Sequence, residues 1–119
     1  MVGNMIKIKR AYEQPSKEDG YRILVDRLWP RGLTKERVAV DLWLKEIAPS
    51  TGLRQWFHET KKWYEFQKKY QNELIQKKEL IEKIAQLERE KKSITLVYAA
   101  KDQEQNNAVI IKKMLQSDQ

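Results

Sequence analysis

The sequence predicts an α/β fold, a single three-layer domain over residues 1–119 with a small, mainly parallel sheet and helices on its faces. Three observations lead there. Short strand-like runs occur at residues 5–10, 21–26 and 93–100. Between the last two lies a long region of amphipathic helical periodicity, and another helical stretch follows the third. At 119 residues the chain is long enough for one core and too short for a separate substrate domain.

Met5 to Arg10 alternates apolar and basic side chains, the period of a strand with one buried face. Ala11 to Gly20 holds Pro15, Ser16, Asp19 and Gly20 and too few apolar residues for a crossover helix, so it reads as a surface loop. So short a connection is easier between antiparallel neighbours, which leaves a mixed sheet open. Tyr21 to Asp26 is nearly continuously apolar in its centre and fits a central strand covered on both faces. In the loop from Leu28 to Thr34, Pro30 biases Trp29 away from the α region and Gly32 permits unusual backbone angles. Thr34 is placed to cap a helical turn of Lys35, Glu36 and Arg37.

Val38 to Ile47 fits both a strand and a helical stripe; its β-branched pair and the nearby Pro49 favour the strand. Ser50 or Thr51 then caps a short helix reaching about Phe57, with Leu53, Trp56 and Phe57 turned inward. Lys61 to Lys77 is the clearest helix, because Trp63, Phe66, Tyr70 and Leu74 recur at three- and four-residue intervals. Glu79 to Glu90 repeats the pattern with Leu80, Ile81, Ile84 and Leu87, and its continuity with the preceding helix stays open. Ser93 to Ala100 is β-branched, aromatic and uncharged, the signature of a central strand. Ala108, Val109, Ile111, Met114 and Leu115 mark a closing helix whose last few residues should be frayed.

Composition removes several kinds of chemistry. The chain has no cysteine, which excludes disulfides, thiolate nucleophiles and thiolate metal sites. His58 is its single histidine and reads as a surface residue. No apolar run reaches the ~20 residues of a membrane span, and Met1 to Arg10 lacks the pattern of a signal peptide, so the expectation is a cytoplasmic protein with no membrane partner. A net charge of +7 draws the protein toward anions without choosing among them.

The glycine-rich phosphate fingerprints and the nucleophile elbow are absent. Two polar clusters remain at strand ends: Asp26, Arg27, Trp29 and Arg31 after the second strand, and Lys101, Asp102, Asn106 and Asn107 after the last. If both strands are central and parallel, the clusters meet at the edge of the sheet where α/β proteins bind ligands. Arginine's planar fork suits a carboxylate or phosphate, and a helix beginning near Asn106 adds backbone N–H donors.

Arg27, Arg31 and Lys101 are therefore candidates to hold a small phosphorylated or carboxylated ligand, with Asp26 and Asp102 orienting it or holding a metal and Trp29 offering a ring. The competing structural reading pairs Asp26 with Arg27, Arg31 or Lys101 to brace the loop. In other readings the basic surface binds nucleic acid, or the helical region Lys61 to Glu90 docks a protein partner. No residue pattern identifies a catalytic group, a resident metal or a cofactor, and the oligomeric state stays open.

Val25-Asp-Arg-Leu-Trp-Pro-Arg-Gly32, Asp41-Leu-Trp-Leu-Lys45, Ala48-Pro-Ser50, Leu53 to Phe57 and Tyr98-Ala-Ala-Lys-Asp102 together resemble the YeaO-like branch of domain of unknown function family 488. The match covers nearly the whole chain and includes rare tryptophans and prolines in order. The resemblance implies a small cytoplasmic bacterial α/β protein and assigns no activity. Members often carry His-Asn ahead of the closing helix, where this chain has Gln105-Asn106-Asn107. If that histidine serves as an acid or base, Gln105 cannot replace it, which favours ligand binding over catalysis.

Overall fold

The computed structural model describes residues 5–117; the first four residues of the Met1 to Arg10 stretch and residues 118–119, on which the expectation of a frayed end partly falls, lie outside the described residues. Four strands, β1 (Met5–Arg10), β2 (Tyr21–Leu24), β3 (Leu42–Trp43) and β4 (Ser93–Tyr98), form one sheet in the order β1-β4-β2-β3. Every pairing is parallel: Ile6 faces Ile94, Ile23 faces Leu96, and Leu24 faces Trp43. Among the described residues five α-helices complete the α/β fold: α1 (Lys35–Val38), α2 (Thr51–Thr60), α3 (Trp63–Ile75), α4 (Lys78–Lys91) and α5 (Asn107–Ser117).

Local chemistry sets several of these ends. Thr34 Oγ1 accepts the Arg37 N–H and starts α1, and Ser50 rather than Thr51 caps α2 by accepting the Leu53 N–H. The strand expected over Val38 to Ile47 shrinks to Leu42–Trp43. Ala39 takes a left-handed conformation, φ 51°, with its N–H on the Lys35 carbonyl, and Lys45–Ile47 winds into a 3₁₀ turn. The two long helices are separate, broken at Gln76 and Lys77, where Lys77 Nζ reaches the Glu46 carbonyl at 2.8 Å.

The two faces of the sheet are covered unequally. Ile6, Ile23, Ile94, Leu96 and Tyr98 pack with α2 to α5 in the main core, into which α3 sends the predicted stripe Trp63, Phe66, Tyr70 and Leu74. Leu24 and Val97 point the other way, into a smaller cluster with Ala11 and Val38 and the half-buried Trp29, Leu33 and Trp43. That outer layer consists of the one-turn α1 and loops.

The connection 11–20 belongs to this second face. Because β4 lies between β1 and β2, these ten residues cross over β4 rather than turning a hairpin, which explains how so short a link joins parallel strands. A loop in place of a helix cannot satisfy its own polar groups, and side chains of the sheet and loop do so instead. Lys7 Nζ donates to the Glu18 carbonyl at 2.7 Å and Thr95 Oγ1 to the Asp19 carbonyl at 2.6 Å. The Asp19 carboxylate accepts from Lys9 Nζ at 3.1 Å, Arg22 Nη1 at 2.6 Å and the Ser16 N–H at 3.0 Å.

Asp19 and Arg22 are each only 4% exposed, and Arg22 uses its remaining donors on the Val38 and Ala39 carbonyls. Gly20, at φ 65°, lies flat against Ser93, and a Cβ there would fall inside contact distance of the Ser93 carbonyl.

Burial pushes the Asp19 carboxyl up, but the Ser16 N–H, Lys9 and Arg22 outweigh it and bring its pKa from 3.8 to about 2. With the folded value below the unfolded one, the stabilisation is fully present above pH 3.8 and is lost as pH falls through about 2. Its proton-linked part is about 2 kcal/mol. Urea unfolding should show Asp19→Asn less stable than wild type by at least about that amount at pH 7 and by much less near pH 2. Gly20→Ala should cost about 3 kcal/mol in the same assay, from backbone strain together with the clash at Ser93.

Candidate functional site

The carboxyl ends of the parallel strands open onto a cavity of about 790 Å³. One wall is the segment after β2, another is Ala99 to Lys101 after β4, and α2, α3 and the start of α5 close the rest. Of the residues singled out from the sequence, Asp26, Arg27, Trp29, Arg31, Lys101, Asn106 and Asn107 line this cavity. Asp102 does not. It is exposed on the turn before α5, where its Oδ1 accepts the Glu104 and Gln105 N–H groups, each at 2.9 Å. Those two bonds, Gln105 first, lower its pKa.

Asp26 is the structural knot of the site. Its Oδ2 accepts the Ala99 N–H at 2.9 Å, and its Oδ1 accepts Asn107 Nδ2 at 3.1 Å, while the same Nδ2 reaches the Val25 carbonyl at 2.9 Å. The ends of β2 and β4 and the first residue of α5 are thereby tied together. Burial pushes the Asp26 carboxyl up against the lowering effect of these hydrogen bonds and of the Arg54 charge. Among the described residues Asp26 makes no ion pair with Arg27, Arg31 or Lys101, so the loop is braced by hydrogen bonds and not by paired charges.

Arg27 is consequently left with few partners. Its Nη2 donates to the Ala48 carbonyl at 3.3 Å, a long bond, and its Nε is buried with no hydrogen-bond partner. An unsatisfied buried guanidinium N–H is costly, about 1–3 kcal/mol or more, and in a native structure it calls for an explanation. Arg31, Arg54 and Lys101 are exposed cations on the lining, so four cationic side chains stand against one carboxylate.

Trp29 both anchors its loop and lines the cavity: its Nε1 donates to the Leu33 carbonyl at 2.7 Å, and its ring meets Trp43 edge-on at 5.4 Å. Tyr12 holds the Arg31 carbonyl at 2.9 Å from across the rim. Asn106 is 3% exposed; its Oδ1 caps α5 through the Val109 N–H and its Nδ2 donates to the Asp102 carbonyl.

Sequence reasoning missed Tyr12, Leu28, Arg54 and the cavity-facing role of Phe57 and Phe66. Nothing in the local sequence marks Arg54, which sits on the first turn of α2. The two phenylalanines carry a core pattern because most of each ring is core. No group of three His, Asp or Glu side chains close enough to hold a metal ion occurs among the described residues.

Comparison with known proteins adds the family. The model described as "Inactive DUF488-N3 subclade" matches residues 5–119. The chain is 44% identical over 113 residues to the uncharacterised protein YeaO of Escherichia coli (strain K12), covering 94% of this chain and 97% of that one. Uncharacterised proteins of Mycobacterium bovis and Mycobacterium tuberculosis are 43% identical over 70 residues, which is 58% of this chain and 59% of theirs. No solved structure matches. No helix among the described residues is long and apolar enough to cross a membrane. Together with the sequence motifs and the α/β architecture, these matches show that the chain belongs to the YeaO-like DUF488 family, in its inactive DUF488-N3 subclade.

Proposed function

We propose that the cavity at the strand ends is a binding site for a small phosphorylated or carboxylated molecule, and that the protein binds this ligand without transforming it. The observation that carries the reading is Arg27: a guanidinium on the cavity wall with one long hydrogen bond and a buried, unpartnered Nε. An oxyanion is what such a fork accepts, with charge-assisted bonds about twice as strong as neutral ones. Arg31, Arg54 and Lys101 around it favour the same charge, and cations lining one concave cleft add to the attraction.

Asp26 supports the reading by what it does elsewhere. Its two oxygens accept from Ala99 and Asn107, and it forms no ion pair with Arg27. Binding without turnover agrees with the subclade's description as inactive and with a lining that holds no histidine or cysteine. A cytoplasmic location and action as one domain complete the proposal.

The test is thermal stability against phosphorylated sugars, nucleotides, organic acids and short nucleic acids, on wild type and Arg27→Ala. A ligand at 100 times its Kd should raise Tm by on the order of 10 °C. That shift should be lost in Arg27→Ala while the ligand-free Tm moves by no more than a few degrees. Stabilisation only by nucleic acid, indifferent to Arg27→Ala and abolished by salt, would instead assign function to the basic surface.

A further inference from the structure

The cavity is far larger than a bare phosphate or acetate, and its volume lies within the range that holds small organic ligands. Much of its wall away from Arg27 is apolar. Phe57 is the half-buried end of an aromatic stack, 4.4 Å and 24° from Phe66, which in turn stands 5.7 Å from Tyr70. Phe57, Phe66, Ala48 and Pro49 thus make one side of the cavity apolar.

Leu28 stands on the same lining and is 59% exposed. Among the described residues Met5, Tyr64 and Ile75 are the other large apolar side chains exposed to a comparable degree, and none of them lines the cavity. An exposed leucine beside a half-buried arginine whose Nε has no partner has no evident packing role in the free protein. It acquires one when an apolar body covers it.

We infer that the ligand is an organic oxyanion with a ring-sized apolar body, its anionic head on Arg27 and its body against Leu28, Phe57 and Pro49. This deepens the anion-binding reading and rests on it. Apolar contact supplies affinity, and the arginine fork fixes which end points inward.

The inference can be tested by calorimetric titration with phenyl phosphate against methyl phosphate, and benzoate against acetate, on wild type, Arg27→Gln and Leu28→Ser. Leu28 is exposed, so Leu28→Ser should fold as wild type does. At least one ring-bearing probe should bind about tenfold or more tightly than its small partner, with a negative heat-capacity change. Leu28→Ser should cut that ratio at least about threefold, and Arg27→Gln should weaken both members of the pair alike.

In wild type, nuclear Overhauser contacts between the probe's ring protons and Phe57 should place the body independently of any variant. Equal affinity for both members of each pair, with Arg27→Gln still weakening them, would overturn the ring-sized body and leave the anion site standing. Binding of no probe at millimolar concentration in wild type would overturn both.

Discussion

The constraint on which this structure depends is that β4 must sit between β1 and β2 while only ten residues join those two strands. A parallel crossover of this length holds only the 3₁₀ turn Lys17–Asp19 and no α-helix, so it lies on the sheet with the Glu18 and Asp19 carbonyls facing strand side chains. Lys7 and Thr95 donate to the Glu18 and Asp19 carbonyls, Lys9 and Arg22 bind the Asp19 carboxylate, and Asp19 is thus the point where three of the four converge. A buried ion pair adds little net stability when compared with an apolar replacement. Here its value is directional, since the bonds hold the loop in one path across β4. Gly20 completes the crossing by letting backbone touch backbone at Ser93.

The site follows from the same topology. With every strand parallel, the segments after β2 and β4 emerge on one edge and the start of α5 comes back to them. Asp26 binds the three together through Ala99 and Asn107. The carboxylate is engaged in these bonds rather than in an ion pair, and the adjacent Arg27 keeps one long bond and an unpartnered Nε. A single residue thus builds the edge without pairing with the arginine beside it.

How much of this was legible in the sequence depended on whether the decisive force was local. The strand patterns at Met5, Tyr21 and Ser93, the aromatic stripe of α3 and the caps at Thr34 and Ser50 all depend on neighbours in sequence, and all are readable. The expected strand from Val38 to Ile47 is cut short by the left-handed turn at Ala39, a conformation alanine does not advertise. Lys7 and Lys9 look solvent-facing by alternation, yet they receive the crossover loop; polarity alone does not distinguish water from a folded-back chain. At the site, the strand-end clusters could be anticipated because sheet topology brings them together. Arg54 could not, since only the packing of α2 carries it there, and Asp102 has the right chemistry but folds onto its own turn.

The strand order also sets an order of events during synthesis. β1 and β2 leave the ribosome early, but the strand that pairs with both is made only after most of the chain. Until Ser93–Tyr98 emerges, β1 has no partner, β2 can pair only with the two residues of β3, and the crossover loop has no β4 on which to lie. The helices between can form in the meantime from their own periodicity. The sheet therefore closes through contacts distant in sequence, and until β4 emerges the nascent chain carries open strand edges.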